Sequence, residues 1–312
     1  MKYQLAIAHR VCPILAKTVS HYADKFELVK EATNSLARAI ANIKVKLTVI
    51  LDGCPVEYER LFDDVFGGGK ITGVDYRRVS TPAIGNAGTY RRQMEVLSED
   101  SVNAEFLYFS EDDYIYRRDA FVAMMDFLVR RGVDFVSPLD HPDVYQEELE
   151  RQTAGTIKVS SYCHWREVAS TCCTFMLKSA TWTKAEKSLS YYAKGGADFI
   201  MWELLTKKKV FSPWVIFEGG MRYLFSRRRN WMNLIPALAW ARLGPRLLFA
   251  PRFYLWSPMP SLAVHLCMPS LPPFSDAIMQ GRGNLVAVAD KMVVRHAFWG
   301  QSGNSLQVTA NG

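Results

Sequence analysis

Three carboxylates stand in a row, Glu111, Asp112 and Asp113, directly after the apolar run Phe106 to Phe109. Consecutive anions at the end of a strand repel one another unless a cation or donor hydrogen bonds compensate. Magnesium or manganese takes oxygen ligands and keeps open positions for substrate phosphates, which is the role one or two such carboxylates can fill. Standing alone, three acids are better read as a solvated turn, because short motifs are permissive, and it is the context that favours a cation. A fourth acid, Asp52, closes the β-branched run LTVILD. Downstream of it, Asn86, Gly88, Arg91 and Arg92 fall within NAGTYRRQ. Gly88 allows close backbone approach, and the free N–H groups that open a helix favour phosphate. An arginine adds a charge-assisted donor, and one of the neighbouring pair is expected to face inward.

These residues need a scaffold, and the pattern supplies an α/β one. Residues 3 to 9 read as a buried strand, 19 to 43 as a helix, and Leu47 to Gly53 as a second strand ended by Asp-Gly. A helix over Val56 to Phe66, a weaker strand near Val74 to Val79, a helix to about Ser98 and the strand AEFLYFSEDDY follow. In open α/β sheets the ligand crevice lies outside the carboxyl ends of the strands, which puts Asp52 and the acidic cluster on one edge. Farther on come the amphipathic helix DAFVAMMDFLVRRG, the strand VDFVSPL, a polar stretch from 140 to 166 read as a long loop or lid, and STCCTFMLKSATW as a strand entering a helix. ADFIMWELLTKKK is a helix with a lysine-rich last turn.

The order LTVILDG, NAGTYRRQ, FLYFSEDDY resembles the GT-A glycosyltransferases, especially those like family 2, over about the first 140 residues, and more loosely beyond. The resemblance implies a GT-A-like, mostly parallel sheet flanked by helices, and Asp52 binding a nucleotide base. It implies Asn86, Gly88 and Arg91 near the donor diphosphate or base, with His9 and Arg10 completing the donor-binding set. Asp113 becomes the principal ligand of Mn2+ or Mg2+, with Glu111 as a further metal ligand and Asp112 facing the donor ribose. SEDD replaces the family's usual Asp-x-Asp-Asp order, so the division of labour among the three acids stays open. Enzymes of this type often supply a late histidine to the metal. His265, in SLAVHLCM, is that candidate or else a packed core residue.

Inverting glycosyl transfer needs a carboxylate to take the proton from the acceptor hydroxyl. Asp198, in KGGADFIMWELL, resembles the acid that opens the corresponding helix in family 2, although Ala197 replaces the preceding glutamate. Asp198 as a plain helix cap is the alternative, with Glu203 as the fallback base. His141 and Asp143, and the run His164, Trp165, Arg166, form two further polar and aromatic clusters. Trp165 could stack on a sugar and Arg166 bind an acceptor phosphate, with loop packing as the alternative.

Composition sets the frame. The chain has 312 residues, 49% hydrophobic and 22% charged, which is globular rather than disordered. Its six cysteines form no CxxC pair, which suits neither a disulfide framework nor a zinc site and points to a reducing cytosol. The N-terminus carries no export signal of the usual kind. The net charge is +7, and no acid lies between Glu218 and Asp276 while seven arginines do. Arg227, Arg228, Arg229, Trp231, Trp240 and Arg246 belong to this basic, aromatic stretch. Pro236, Gly244 and Pro245 cut it too short to span a bilayer, so it is read as lying on an anionic membrane surface, with packing onto the catalytic domain or a partner protein as the alternative.

The expected organisation is a catalytic domain over 1–220, with a nucleotide half to about 115 and an acceptor half to 220. A membrane-associating segment over 221–258 and a tail over 259–312 that returns His265 follow. The expected protein is a cytoplasmic glycosyltransferase on the inner membrane face. Its expected partners are a UDP- or GDP-linked sugar and a glycan or lipid-linked glycan acceptor, with no nucleic acid. A nucleotidyltransferase is the alternative enzyme, although AIAHRVCP lacks the glycine its phosphate loop needs. A lipid-binding protein without catalysis would leave the acids unexplained.

Overall fold

A computed structural model describes residues 2–14, 24–146, 155–208 and 244–267, with isolated positions between 217 and 241 and residue 278. β1 (Tyr3–Val11), α1 (Lys25–Ile40), β2 (Val45–Asp52), α2 (Val56–Phe66), β3 (Val74–Thr81), α3 (Gly85–Asp100) and β4 (Ala104–Glu111) follow one another as the pattern of the first half requires. The chain continues through β5 (Tyr114–Tyr116), α4 (Ala120–Leu128), β6 (Phe135–Val136), α5 (Asp143–Gln146), β7 (Ile157–Val159), β8 (His164–Val168) and β9 (Phe175–Lys178). α6 (Ser179–Ala193), α7 (Asp198–Thr206), α8 (Pro245–Phe249), β10 (Leu255–Met259) and β11 (Ala263–His265) complete it.

The result is a mixed α/β fold with one large, mostly parallel sheet flanked by helices. Its order is β3-β2-β1-β4-β9-β6-β10-β8-β7. β1 pairs in parallel with both β2 and β4, and β2 with β3. β9 runs antiparallel between β4 and β6, and β10 lies parallel to β6 and antiparallel to β8. The chain steps outward from β1 to β3 and then returns to place β4 on the other side of β1. The crevice of such a sheet opens at that reversal, beyond the carboxyl ends of β1 and β4.

β1 is buried on both faces, which is why it reads as a continuous apolar run. Leu5, Ile7 and Val11 pack with the face covered by α1, α2 and α4, while Ala6 and Ala8 pack with α3, α6 and α7. β4 alternates likewise, with Phe106 and Tyr108 on the first face and Leu107 and Phe109 on the second. Continuing that period of two sends Ser110 to the α1 face and Glu111 to the α3 face.

Two expectations fail in the second half. The polar stretch from 140 to 166 contains α5, β7 and the start of β8, because Trp165, Glu167 and Val168 are buried although their polar neighbours mask the alternation. Residues 255–258, assigned from sequence to the membrane segment, are an inner strand of the main sheet, where Leu255 and Trp256 pair with Phe135 and Val136. Among the described residues no helix is long and apolar enough to cross a membrane.

Candidate active site

The three consecutive acids diverge. Glu111 lies on the α3 face, where Arg10 Nη2 donates to its Oε1 at 2.5 Å and the Thr174 hydroxyl to its Oε2 at 2.8 Å. Both of its oxygens are thereby engaged by protein donors, which a metal at Glu111 would have to share or displace. Asp112 is buried and meets Lys25 Nζ at 2.8 Å and the Cys12 amide at 3.0 Å. Burial pushes the Asp112 carboxyl up and the ammonium opposes it. Burial would lower Lys25, but Asp112 outweighs it and holds the ammonium protonated far above its usual range. The expected ribose contact of Asp112 therefore competes with an ion pair already made.

Asp113 is different. Its Oδ2 lies 3.0 Å from His265 Nε2, although 152 residues separate the two in sequence. The backbone explains the meeting. β5 begins directly after Asp113 and pairs antiparallel with β11, so that His265 faces Tyr114, and the Leu266 amide donates to the Asp113 carbonyl at 2.8 Å. The Tyr114 and His265 rings then stack at 4.6 Å and 6°. Burial would raise the Asp113 carboxyl, but the imidazole holds it far below its usual value; burial would lower His265, and Asp113 raises it well above its usual value. Asp113 Oδ1 and His265 Nδ1 are buried and find no hydrogen-bond partner among the described residues. Asp113, His265 and Cys267 each offer a ligand atom, and these lie within 4.8 Å of one another. Such a set fits a divalent cation, and Cys267 is the member that sequence reading missed. Its signal was a thiol two residues after the candidate histidine, just past the end of β11.

The donor-binding candidates gather at the same edge without all being available to a ligand. Asp52 is buried, and its carboxylate accepts from the Thr81 hydroxyl at 2.7 Å, the Ile84 amide at 2.6 Å and the Gly85 amide at 2.8 Å. It caps α3 from a neighbouring strand, a helix that has no side-chain cap of its own. Gly53, at φ +64°, permits this turn, because a Cβ there would meet that of Ala83 at 2.8 Å. Cys54 lies between Asp52 and Asp112, and burial first, then both charges, push its thiol up to about 12. Gly88 makes room for the Ile84 side chain, whose Cβ an added methyl would approach to 2.9 Å, so local packing accounts for this glycine. Asn86 is exposed, and its carbonyl accepts from Arg10 Nη1 at 3.1 Å. Arg91 donates to the Ala193 carbonyl at 2.9 Å, and Arg92 pairs with Glu95. His9, 1% exposed, bonds through Nδ1 to Ser110 Oγ at 2.8 Å. Burial, then the Lys25 charge, pull its pKa down to about 3, although Asp113 opposes them, so the ring is neutral.

Asp198 is the first residue of α7, and its Oδ1 accepts from the Phe199 amide at 2.7 Å. Burial, then the charge of Glu111, raise its carboxyl against the lowering influence of Arg10, so Asp198 and the Arg10–Glu111 pair share one side of the crevice. Glu203, the fallback base, lies buried in the same helix. Trp165 corrects the sequence reading outright. It is fully buried, stacked on Phe127 at 4.3 Å and 4°, with its indole N–H on Ser160 Oγ, so neither ring face is open to a sugar. Arg166 is spent on Asp140 at 2.6 Å, over the Tyr145 ring. His164 is exposed at the start of β8. His141 Nδ1 accepts from the Asp143 amide, which is loop packing.

In the basic stretch, Trp240 is half-buried beside Ile200, Leu204 and Leu247. Arg246 falls in α8, but its side chain lies outside the described part, as do residues Arg227, Arg228, Arg229 and Trp231 altogether.

No protein-family model and no curated protein matches the chain. Among solved structures it is similar to the galactosyltransferase LgtC in complex with donor and acceptor sugar analogues. They are 12% identical, with a TM-score of 0.41 and coverage of 89% of this chain and 95% of that one. It is similar to a mannosyltransferase from Pyrobaculum calidifontis in complex with GDP-mannose and Mn2+, at 13% identity and a TM-score of 0.41, over 80% and 74% of the two chains. It is also similar to a CMP-2-keto-3-deoxy-manno-octonic acid synthetase complexed with CTP, at 9% identity and a TM-score of 0.37, over 81% and 88%. At such identity and overlap, function has to be read from the residues of the crevice.

Proposed function

We propose that this chain is a nucleotide-sugar-dependent glycosyltransferase that moves a sugar from a nucleoside diphosphate donor to an acceptor hydroxyl, with inversion. The observation that carries the reading is the junction of Asp113 with His265 at the carboxyl edge of β4, beside the strand ends that present Arg10 and Asp52. A bound divalent cation would supply charge neutralisation for the departing diphosphate. The chain's own residues do the remainder. Asp52 fixes the opening turn of α3 and so the amides that flank the crevice. Arg10 and Lys25 neutralise Glu111 and Asp112, leaving Asp113 as the acid with an unengaged oxygen. Asp198, its carboxyl raised by burial and placed on the Arg10–Glu111 side of the crevice, is the acid assigned to receive the acceptor proton.

We further propose that the protein works on the inner face of a membrane, on a lipid-linked glycan. Support comes from the acid-free arginine stretch and from the exposed apolar side chains of Leu224, Phe225, Leu248 and Phe249 within it. Co-sedimentation with anionic but not neutral vesicles checks that part.

A thermal-shift panel tests the activity class. UDP or GDP is expected to raise the melting temperature, more so with a divalent cation, and a preference for CTP or another triphosphate would instead favour nucleotidyl transfer. No effect of any nucleotide, with or without metal, sinks both.

A further inference from the structure

The crevice offers a cation an unusual mixture of donors. Magnesium sites are built from oxygens, and here two of the three acids already have both oxygens held by protein donors. Glu111 is held by Arg10 and Thr174, and Asp112 by Lys25 and the Cys12 amide. What remains is one carboxylate, one imidazole and one thiol, with ligand atoms within 4.8 Å of one another. Asp113 Oδ1 and His265 Nδ1 are both buried without a partner among the described residues, and the Cys267 thiol already interacts with Asp113. Sulfur and imidazole nitrogen suit zinc and its neighbours in the transition series, whereas magnesium demands oxygen.

We propose that Cys267 is a direct metal ligand, and that Asp113, His265 and Cys267 form an oxygen, nitrogen and sulfur centre that takes a zinc-like transition ion in preference to magnesium. The proposal rests on the reading of this crevice as cation-dependent and puts Cys267 in place of Glu111 in the Glu111, Asp113 and His265 set expected from sequence. Three protein ligands would leave a coordination position open, as catalytic rather than structural zinc sites do. Binding displaces the thiol proton to water, together with that of His265 when the imidazole is charged. Cys172 lies against both His265 and His141, where it positions the imidazole and is not needed as a ligand.

Cobalt reports a bound thiolate directly. The full-length reduced protein, loaded with one equivalent of Co2+, is expected to show a sulfur-to-cobalt charge-transfer band in the near ultraviolet that added Zn2+ abolishes and excess Mg2+ does not. Cys267→Ser should remove the band and weaken zinc by about 100-fold or more, since loss of residues that merely orient a ligand already costs ~10–100-fold. Cys54→Ser should keep the band. A wild-type protein that binds cobalt without the band, or a band that survives in Cys267→Ser, overturns the proposal, and the first of these needs no variant to fold. Failure of the transfer reading looks different: the band persists while no nucleotide shifts the melting temperature. Cation-dependent nucleotide binding without the band sinks only the sulfur ligand.

Discussion

The two sides of the β4 terminus carry similar residues and do opposite things. On the α3 side, Glu111 is enclosed by Arg10 and Thr174, with Asp198 nearby, in a network closed by protein donors. On the α1 side, Asp112 is closed by Lys25, but Asp113 keeps an oxygen without a partner beside His265 and Cys267. An acid is therefore a ligand candidate by what surrounds it rather than by its place in a motif. In the proposed function the α3 side stabilises and offers the base, whereas the α1 side receives the cation.

The comparison breaks most visibly at Asp198. Asp198→Asn should lower kcat by about 10²–10⁴-fold while leaving nucleotide binding by thermal shift unchanged. Undiminished turnover would remove the base from the α3 side. Asp113→Asn should cost about 10²-fold or more in kcat, and should also erase the cation dependence of nucleotide stabilisation. A variant that still responds to metal would show that the α1 side is not the cation site.

Stability separates the sides next. Arg10→Met leaves the half-buried Glu111 without its ion-pair partner, and since breaking a fully buried pair costs about 3 kcal/mol or more, a loss of up to about 3 kcal/mol is expected, readable from urea unfolding. Asp113→Asn should cost less, because asparagine still accepts from His265; equal losses would mean that both sides are structural. The smallest effect is a slope. His9 titrates near 3 when folded and near its ordinary value of 6.5 when unfolded. The unfolded chain therefore binds more protons between those values, and the contribution of His9 is complete above 6.5 and lost as pH falls toward 3. Between pH 7 and 5, wild type should lose stability relative to His9→Gln by up to about 1.4 kcal/mol per pH unit below 6.5, and parallel curves would place a charged ring in the crevice.

Much of the first half was legible. Apolar and β-branched runs and helical spacing marked β1 to β4 and the helices between them, and Asp-Gly and the acidic run marked strand ends on one edge. The types of Asp113 and His265 were legible as well, but Glu111 looked like their equal. Its face and its pairing with Arg10 depend on register with β1, which no local pattern reports. Trp165 failed as a sugar platform because an aromatic residue in a polar string reads as exposed until Phe127, 38 residues earlier, is seen lying on it. Residues 255–258 failed for a related reason: an aromatic, apolar run suits a bilayer and a sheet interior equally well.

What the sequence determined by itself was therefore local: which segments are strands, where they stop, and which side chains stand at those stops. Tertiary structure decided the partners, assigning Lys25 to Asp112, Arg10 to Glu111, and His265 with Cys267 to Asp113. Charge and ligand chemistry act over a few ångströms, and chain separations of up to 152 residues are reduced to that range only by β1, β4, β5 and β11 pairing as they do.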